Sequence, residues 1–367
     1  MTSNEWPSGR VTSEMAKELD ELLNKTSEWL RGVGPVSDIV ISSRIRLARN
    51  LEKIPFATRA TEASQAEVLR HVSESLTHLS SLKNPFLVQM GELDELDRQF
   101  LVERHVISRE HASQPDHRAV AIGPGEVISI MVNEEDHLRI QVMQSGLNLR
   151  DAWGLIDALD DELSEAMPYA YSSDWGYLTC CLTNAGTGMR ASVMMHLPAL
   201  VITKQINKVL HAITKLGLTA RGLYGEGTEA QGNFFQISNQ VALGHSEEEL
   251  VENLERILKQ VIDHEQTARD SLLGNSRLQL EDRMWRAYGI LRYAQTISSN
   301  ETLDLLSAVR LGVDLGIMNR LDRNTVMELL IFSQPAHLQK LEGGKLLTKE
   351  RDAKRALLIR RRLGAKE

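Results

Sequence analysis

Short runs rich in Val, Ile and aromatic residues, set between turn-forming residues, mark the middle of the chain as strand-rich. They predict strands over residues 127–132, 137–143, 176–182, 190–197, 218–224 and 234–238. Turn-like residues at 133–136 and 184–188 separate neighbouring runs, and strands that are joined this tightly pair antiparallel. Gly186-x-Gly188 is therefore interpreted as a hairpin turn rather than as a dinucleotide fingerprint, which needs a turn from strand to helix.

Apolar residues at helical spacing predict two helices that cover one face of this sheet. The first helix is marked by Ile202, Ile206, Val209, Ile213 and Leu216, and it stops at Gly217. The second helix begins at a capping box formed by Ser246 and Glu249. Beyond residue 269 only helical patterns remain. We therefore predict an α+β architecture, with an extension at 1–34, an α+β domain at 35–268 and an all-helical domain at 269–367.

Composition changes the picture only in its details. The chain has 367 residues, with 42 Lys and Arg against 50 Asp and Glu, so its net charge of −8 offers no general attraction to nucleic acid or membranes. Its only two cysteines are adjacent, and no apolar leader begins the chain, so we expect a soluble cytoplasmic protein. No phosphate-binding loop of the Walker type and no metal-binding spacing of His and Cys occurs, so we expect no metal site in the protein.

Arginines beside the predicted strands are the main candidate chemistry. Arg44 and Arg46 follow the apolar residues 39–41, and strand alternation places both on one face. Three more lie next to strands or glycine-rich turns: Arg139, Arg190 and Arg221. Guanidinium groups bind phosphate oxygens in pairs, so several together can hold a triphosphate. Each of them alone is better explained as a solvated surface charge.

Four ordered blocks resemble the catalytic domain of the phosphagen (guanidino) kinases. They are Ser-Ser-Arg-Ile-Arg-Leu-Ala-Arg at 42–49, Val-Asn-Glu-Glu-Asp-His-Leu-Arg at 132–139, Cys-Leu-Thr-Asn-Ala-Gly-Thr-Gly-Met-Arg-Ala-Ser-Val at 181–193, and Arg-Gly-Leu-Tyr-Gly-Glu-Gly-Thr-Glu at 221–229. The resemblance implies an antiparallel sheet flanked by helices. It also implies that ATP is the phosphoryl donor and that Mg²⁺ arrives on the nucleotide.

The resemblance implies a set of nucleotide-binding residues. They are Ser42, Ser43, Arg44, Ile45, Arg46, His105, Arg139, Arg190, Ala191, Ser192, Val193, Met194, Arg221, Gly222, Leu223, Tyr224, Gly225 and Glu226. At the guanidine end it implies Glu135 and Glu226 as carboxylates that align the acceptor and take its proton, with Glu134 as a weaker substitute for Glu135. The choice of proton acceptor between Glu135 and Glu226 stays open. Cys181 lies beside the guanidinium by the same resemblance, in Cys-Leu-Thr-Asn, where the metabolite kinases have proline instead of Leu182.

The two ends of the chain indicate which branch of this family it resembles. About forty residues precede the first block, so we expect no small N-terminal helical domain of the kind found in metabolite kinases. The basic segment 345–367 has nine Lys and Arg against three Asp and Glu. It contains Arg-Asp-x-x-Arg-Ala, which resembles a motif of the bacterial protein-arginine kinases and implies an allosteric phosphoarginine site. The residues of this motif are Arg351, Asp352, Ala353, Lys354, Arg355 and Ala356.

That resemblance further implies a homodimer that phosphorylates arginine in client proteins. It implies the activator McsA, the heat-shock repressor CtsR and the ClpC–ClpP protease as partners. Two alternatives remain at this point. A small-molecule guanidino kinase would phosphorylate free arginine or creatine, and an adaptor with an inactive kinase domain would only bind phosphoarginine.

Overall fold

The structure is a computed structural model that describes residues 13–222 and 231–364. Its strands are β1 (Val40–Arg49), β2 (Phe86–Gln89), β3 (Ala119–Ile122), β4 (Ile128–Val132), β5 (Leu138–Ser145), β6 (Tyr171–Ser172), β7 (Gly176–Tyr177), β8 (Met189–His196), β9 (Leu218–Arg221) and β10 (Phe234–Asn239). Eight of them form one antiparallel sheet in the order β2-β3-β4-β5-β1-β8-β10-β9, and β6 pairs with β7 separately. The predicted α+β class with an antiparallel sheet is confirmed.

The helices precede, interrupt and follow this sheet. They are α1 (Ser13–Leu23), α2 (Glu62–Leu76), α3 (Glu95–Glu103), α4 (Arg109–Ser113), α5 (Leu149–Ala166), α6 (Pro198–Ile202), α7 (Ile206–Lys215), α8 (Glu247–Asn275), α9 (Arg277–Tyr293), α10 (Ser299–Asp314), α11 (Arg323–Phe332), α12 (Pro335–Leu341) and α13 (Thr348–Arg362). Among the described residues, no helix is both long and apolar enough to cross a bilayer.

The two faces of the sheet have different coverings. Apolar side chains such as Ile45 and Leu47 of β1 pack with α2, α5, α7 and α8 in the main core. On the other face, Ile41, Met194 and Phe234 join a second core with helices α9–α11 and α13. On the same face, beside this second core, a cleft is lined by the sheet, by α3 and α4, and by residues 181, 183 and 184. Strand alternation therefore turns one set of β1 side chains into the main core and the other set into this cleft.

Local signals predicted several elements correctly. Ser246 and Glu249 form the expected reciprocal capping box at the start of α8. Strands β4, β5, β8 and β10 lie within a few residues of their predicted bounds. The predicted helix around 202–216 is interrupted between Ile202 and Ile206, so it forms α6 and α7. The predicted strand at 218–224 is β9 as far as Arg221, and its last residues lie outside the described part of the chain.

Two predictions around residue 180 are wrong. The predicted strand at 176–182 ends at Tyr177. Beyond it the backbone N–H of Cys180 donates a hydrogen bond of 2.7 Å to the Asp136 side chain instead of to a neighbouring strand. The hairpin expected at 184–188 is also absent, since β7 pairs with β6 whereas β8 lies between β1 and β10.

Candidate active site

A cleft of about 500 Å³ opens on the face of the sheet that also carries the second core. Seven arginines and four carboxylates line it: Arg44, Arg46, Arg109, Arg118, Arg139, Arg190 and Arg221, with Glu110, Glu134, Glu135 and Asp136. Cys181, Thr183 and Asn184 lie along the same wall. Strands β1, β5, β8 and β9 each contribute an arginine, so the sheet itself holds the charge cluster in place. An excess of fixed positive charge in a concave site favours a multiply charged anion.

The register of the sheet brings like charges face to face. Arg46 on β1 lies directly opposite Arg190 on β8, and on its other side it pairs with Gln141 of β5. Arg139 is two residues from Gln141 on the same strand, so it is a diagonal neighbour of Arg46. Like charges that are paired across strands destabilise a sheet. This arrangement is therefore expected where a bound anion offsets the repulsion.

Burial increases the free-energy cost of keeping these neighbouring guanidinium groups charged. Burial, with repulsion from Arg139 and Arg190, lowers the pKa of Arg44 to about 9. Burial, with repulsion from Arg44, Arg139 and Arg190, also lowers the pKa of Arg46 well below its usual value, and Glu134 opposes this effect. The Nε atom of Arg46 is buried and has no hydrogen-bond partner among the described residues. A phosphate oxygen supplies both the charge and the acceptor that this guanidinium lacks.

Two adjacent carboxylates in the turn after β4 have opposite environments. Burial would raise the pKa of Glu134, but an ion pair with Arg139 (2.5 Å) and a hydrogen bond from Ser108 lower it to about 2. Glu135 is exposed to the cleft, and its pKa is raised by partial burial and by repulsion from Asp136 and Glu134. Arg139 and the thiol of Cys181 oppose that increase. Glu134 is therefore held as a structural anion, whereas Glu135 is available to accept a proton.

Asp136 ties this turn to the cysteine segment. Its carboxylate accepts hydrogen bonds from Asn50 Nδ2 (2.6 Å) and from the backbone N–H of Cys180 (2.7 Å). Burial and the nearby Asp136 carboxylate raise the pKa of the Cys180 thiol to about 11. Cys181 instead lines the cleft, with its Sγ 3.0 Å from Thr183 Oγ1. The buried aspartate therefore fixes Cys181 beside Glu135.

His105 lies at the wall where the cleft meets a small recess. The recess is lined by Trp29, Ser42, Arg44, His105, Met143, Ser192, Met194 and Gln236. The ring of His105 makes an edge-to-face contact with Trp29, with 5.1 Å between centroids. Burial, together with the positive charges of Arg44 and Arg109, lowers the pKa of His105 to about 3. The imidazole is therefore neutral near pH 7, so it adds no charge to the arginine cluster.

Of the predicted nucleotide residues that the structure describes, nine line the cleft or the recess and five do not. Arg44, Arg46, His105, Arg139, Arg190 and Arg221 line the cleft, and Ser42, Ser192 and Met194 line the recess. Ile45, Ala191 and Val193 point into the main core. Ser43 hydrogen-bonds the carbonyl of Gly146 and the N–H of Asn148, and Gly222 does not line the cleft. Leu223, Tyr224, Gly225 and Glu226 lie outside the described residues.

Sequence reasoning missed several residues that line the cleft. Arg109 and Arg118 belong to no motif, and they reach the site only because α4 and β3 fold against its mouth. Ser108 was missed although it donates a hydrogen bond to Glu134. Gln141 shares the face of β5 with Arg139, so alternation along that strand was the one signal that would have found it.

The C-terminal motif lies on α13, and its two arginines have different environments. Arg355 is buried, and it donates hydrogen bonds to the carbonyls of Ser333 (2.7 Å) and Ile297 (2.8 Å) and to Asp352 (2.6 Å). Arg351 donates one hydrogen bond of 3.3 Å to Thr348, while its buried Nε has no partner among the described residues. Of the remaining positions, Lys354 pairs with Glu342, Ala353 is exposed and Ala356 is buried. Arg351 is therefore the motif arginine with unused donor capacity.

An arginine-lined anion cleft with a carboxylate and a thiol at one end, built on this antiparallel sheet, defines an ATP:guanido phosphotransferase. The family model described as "ATP:guanido phosphotransferase, C-terminal catalytic domain" matches residues 67–268, and the model for "Protein-arginine kinase McsB C-terminal domain" matches residues 277–367. The chain belongs to the protein-arginine kinase family. It is therefore an ATP-dependent kinase.

Similar proteins agree with that assignment. The protein-arginine kinase of Halothermothrix orenii is 50% identical over 94% of this chain and 99% of the relative. The protein-arginine kinase of Bacillus licheniformis is 47% identical over 93% of this chain and 94% of the relative. Among solved structures, lombricine kinase is similar with a TM-score of 0.55 and 26% identity, covering 70% of this chain and 78% of that one. The duplicated taurocyamine kinase from Schistosoma mansoni gives a TM-score of 0.59 and 28% identity, over 67% of this chain and 35% of that one.

Proposed function

We propose that this protein transfers the γ-phosphoryl group of ATP to arginine side chains of client proteins. The observation that carries the proposal is the placement of Glu135 and Cys181 at one end of a cleft whose other walls carry the arginine cluster. Because donor and acceptor enter the same cleft, the protein holds both in line for direct transfer. A bond forms between an acceptor guanidine nitrogen and phosphorus, and the bond from phosphorus to the leaving oxygen of ADP breaks.

The arginines act on the donor. Negative charge spreads over the phosphoryl oxygens in the loose transition state, and fixed cations neutralise it without covalent chemistry. Arg44, Arg46, Arg139, Arg190 and Arg221 have this role in the proposal. Mg²⁺ adds charge neutralisation when it is bound to the nucleotide. We assign it no protein ligand, because Mg²⁺ usually keeps several waters and is held largely by the phosphates of the nucleotide.

Glu135 acts on the acceptor. An arginine guanidinium is protonated at neutral pH and is a poor nucleophile until it loses a proton. Glu135 accepts that proton from the attacking nitrogen, since its raised pKa makes it a better base than an ordinary glutamate. Glu134 is excluded from this role by its ion pair with Arg139. Glu226 is the second carboxylate that grips the guanidinium, on the strength of the motif alone, and Cys181 tunes the binding of the guanidinium.

The regulation and the biological role belong to the same proposal. Arg351 supplies unused donors for a phosphoarginine, and this binding feeds back on activity. Client proteins that carry phosphoarginine are marked for the ClpC–ClpP protease, and the CtsR repressor is inactivated by the same modification. We also propose that the protein is a homodimer in the cytoplasm and that it works with the activator McsA.

The test incubates the protein with ATP, Mg²⁺ and an unstructured arginine-rich protein, and maps acid-labile phosphate by mass spectrometry under mild conditions. Phosphate on protein arginines that is lost in Glu135→Gln and in Glu226→Ala supports the proposed function and both acceptor residues. Phosphate on free arginine alone would instead identify a small-molecule kinase. Binding of phosphoarginine without any transfer, even with McsA present, would identify an adaptor.

A further inference from the structure

An exposed leucine stands at the mouth of the cleft. Leu182 is 86% exposed, and no large apolar side chain in the described part of the chain is more exposed. Its neighbours on both sides, Cys181 and Thr183, line the cleft. Leu182 is therefore an exposed apolar side chain between two cleft residues, and it directly follows Cys181, whose thiol interacts with the proposed proton acceptor Glu135. We call residues 181–184 the acceptor lip.

The acceptor lip is held by its own hydrogen bonds. The carbonyl of Cys181 accepts from the Asn184 N–H (2.9 Å) and from Thr179 Oγ1 (2.8 Å). The Leu182 carbonyl accepts from the Ala185 N–H (3.2 Å). Because these backbone groups are satisfied locally, Leu182 does not need to be buried for the lip to keep its shape. Its exposure is a stable feature of the surface.

The adjoining surface is also apolar. The β6–β7 hairpin, just before the acceptor lip in the chain, carries Tyr171 and Trp175 with 62% and 60% of their surface exposed. The hairpin is joined to the chain just after the acceptor lip by a hydrogen bond of 2.8 Å from the Tyr177 N–H to the Gly186 carbonyl. Exposed apolar side chains on segments that adjoin a functional cleft are typical of a binding surface.

We propose that Leu182 contacts the residues that flank the target arginine in a protein substrate, and that it favours apolar flanking side chains. A free guanidino metabolite fits inside the cleft and leaves nothing at its mouth. A protein substrate reaches in with one side chain, so the residues beside that arginine must lie at the acceptor lip. The inference rests on the proposed function, because it needs the acceptor to enter beside Glu135 and Cys181.

The experiment uses two versions of an unstructured protein with a single arginine, one flanked by Leu and Ile and the other by Ser. We expect the wild-type kcat/KM to favour the apolar version by about fivefold, as one partly buried apolar contact gives. Leu182→Ser should bring that ratio close to one by raising KM for the apolar version, without changing kcat or KM for ATP. Leu216→Ser, which removes an exposed leucine at the end of α7, is the matched control and should keep the ratio.

The possible outcomes distinguish a failure of the role of Leu182 from a failure of the proposed acceptor site. An unchanged ratio in Leu182→Ser, or no preference in the wild type, overturns the role of Leu182 while leaving the kinase mechanism intact. Full kcat in Glu135→Gln overturns the placement of the acceptor, and the role of Leu182 with it. Loss of the ratio in Leu182→Ser, with full activity on the serine-flanked version, supports the proposal and excludes misfolding as its cause.

Discussion

The Nη1 atom of Arg139 lies 2.5 Å from Oε1 of Glu134, and this ion pair separates the roles of two carboxylates that are adjacent in the chain. Glu134 is buried and its pKa falls to about 2, whereas the pKa of the exposed Glu135 is raised. Environments that push the pKa values of neighbouring acids apart assign different tasks to each. One carboxylate organises the arginine cluster, and the other faces the acceptor.

Glu135→Gln should lower kcat by roughly 10²- to 10⁴-fold, the usual contribution of a general base. Binding of ATP should change little, since the arginines remain. Because the base must be deprotonated, wild-type activity should fall with decreasing pH through the raised pKa of Glu135, at a higher pH than an ordinary glutamate would give. A pH profile of kcat/KM checks this prediction. An unaltered acidic limb in Glu135→Gln would assign that limb to another group.

Glu134→Gln should destabilise the fold at neutral pH. The folded-state pKa of about 2 lies below that of an unfolded glutamate, so the ionised form contributes stability above the unfolded value and loses it as pH falls towards 2. The difference of about two units corresponds to roughly 3 kcal/mol. Urea unfolding of both proteins at pH 7 and at pH 3 measures it. The gap in unfolding free energy should be smaller at pH 3, and a gap that is independent of pH contradicts the assignment.

Cys181→Ser should reduce kcat/KM by roughly tenfold, the effect of weakening one hydrogen-bonded contact to the acceptor, without changing the melting temperature. Cys180→Ser is the matched control, because the Cys180 thiol has a pKa of about 11 and does not line the cleft. It should stay within about twofold of wild type. A Cys181→Ser enzyme with the wild-type rate throughout pH 7 to 9 would leave the thiol no role in catalysis.

The two motif arginines on α13 should respond differently to alanine. Arg355→Ala removes two buried hydrogen bonds to backbone carbonyls and a partly buried ion pair with Asp352, so we expect a loss of roughly 3 to 5 kcal/mol in unfolding free energy. Arg351→Ala should keep the melting temperature and weaken the binding of free phosphoarginine by roughly tenfold or more. Calorimetric titration and thermal unfolding of both variants check the division. Phosphoarginine binding that survives in Arg351→Ala would move the ligand elsewhere.

Sequence patterns predicted the parts of the site that a single strand or turn determines. Alternation along β1 was sufficient to place Arg44 and Arg46 together, and the capping box located the start of α8. The same alternation would have shown that Ile45 faces the core, had it been applied to every residue of the block. Local rules work here because each depends on neighbours within a few positions.

Contacts distant in sequence account for what the patterns missed. The chain at Cys180 leaves the strand because Asp136, 44 positions earlier, accepts its N–H. Arg118 enters the cleft only when β3 pairs with β4 in the sheet. The opposing positions of Arg46 and Arg190 depend on the register of β1 and β8, which no local spacing reveals. These features arise from tertiary packing, so only the folded chain displays them.

Helix α8 is 29 residues long, about 44 Å, and its length has a mechanical consequence. Leu254 and Val261 anchor its first part under the sheet, while Leu273 near its end packs against the second core. Ile41 and Phe234 of the sheet are covered by that same second core. Severing the chain near residue 276 would remove an apolar covering from the face of the sheet that also carries the cleft. The two separated parts would then expose apolar surfaces and associate. The catalytic sheet and the helical segment therefore depend on each other for stability and cannot be exchanged as independent modules.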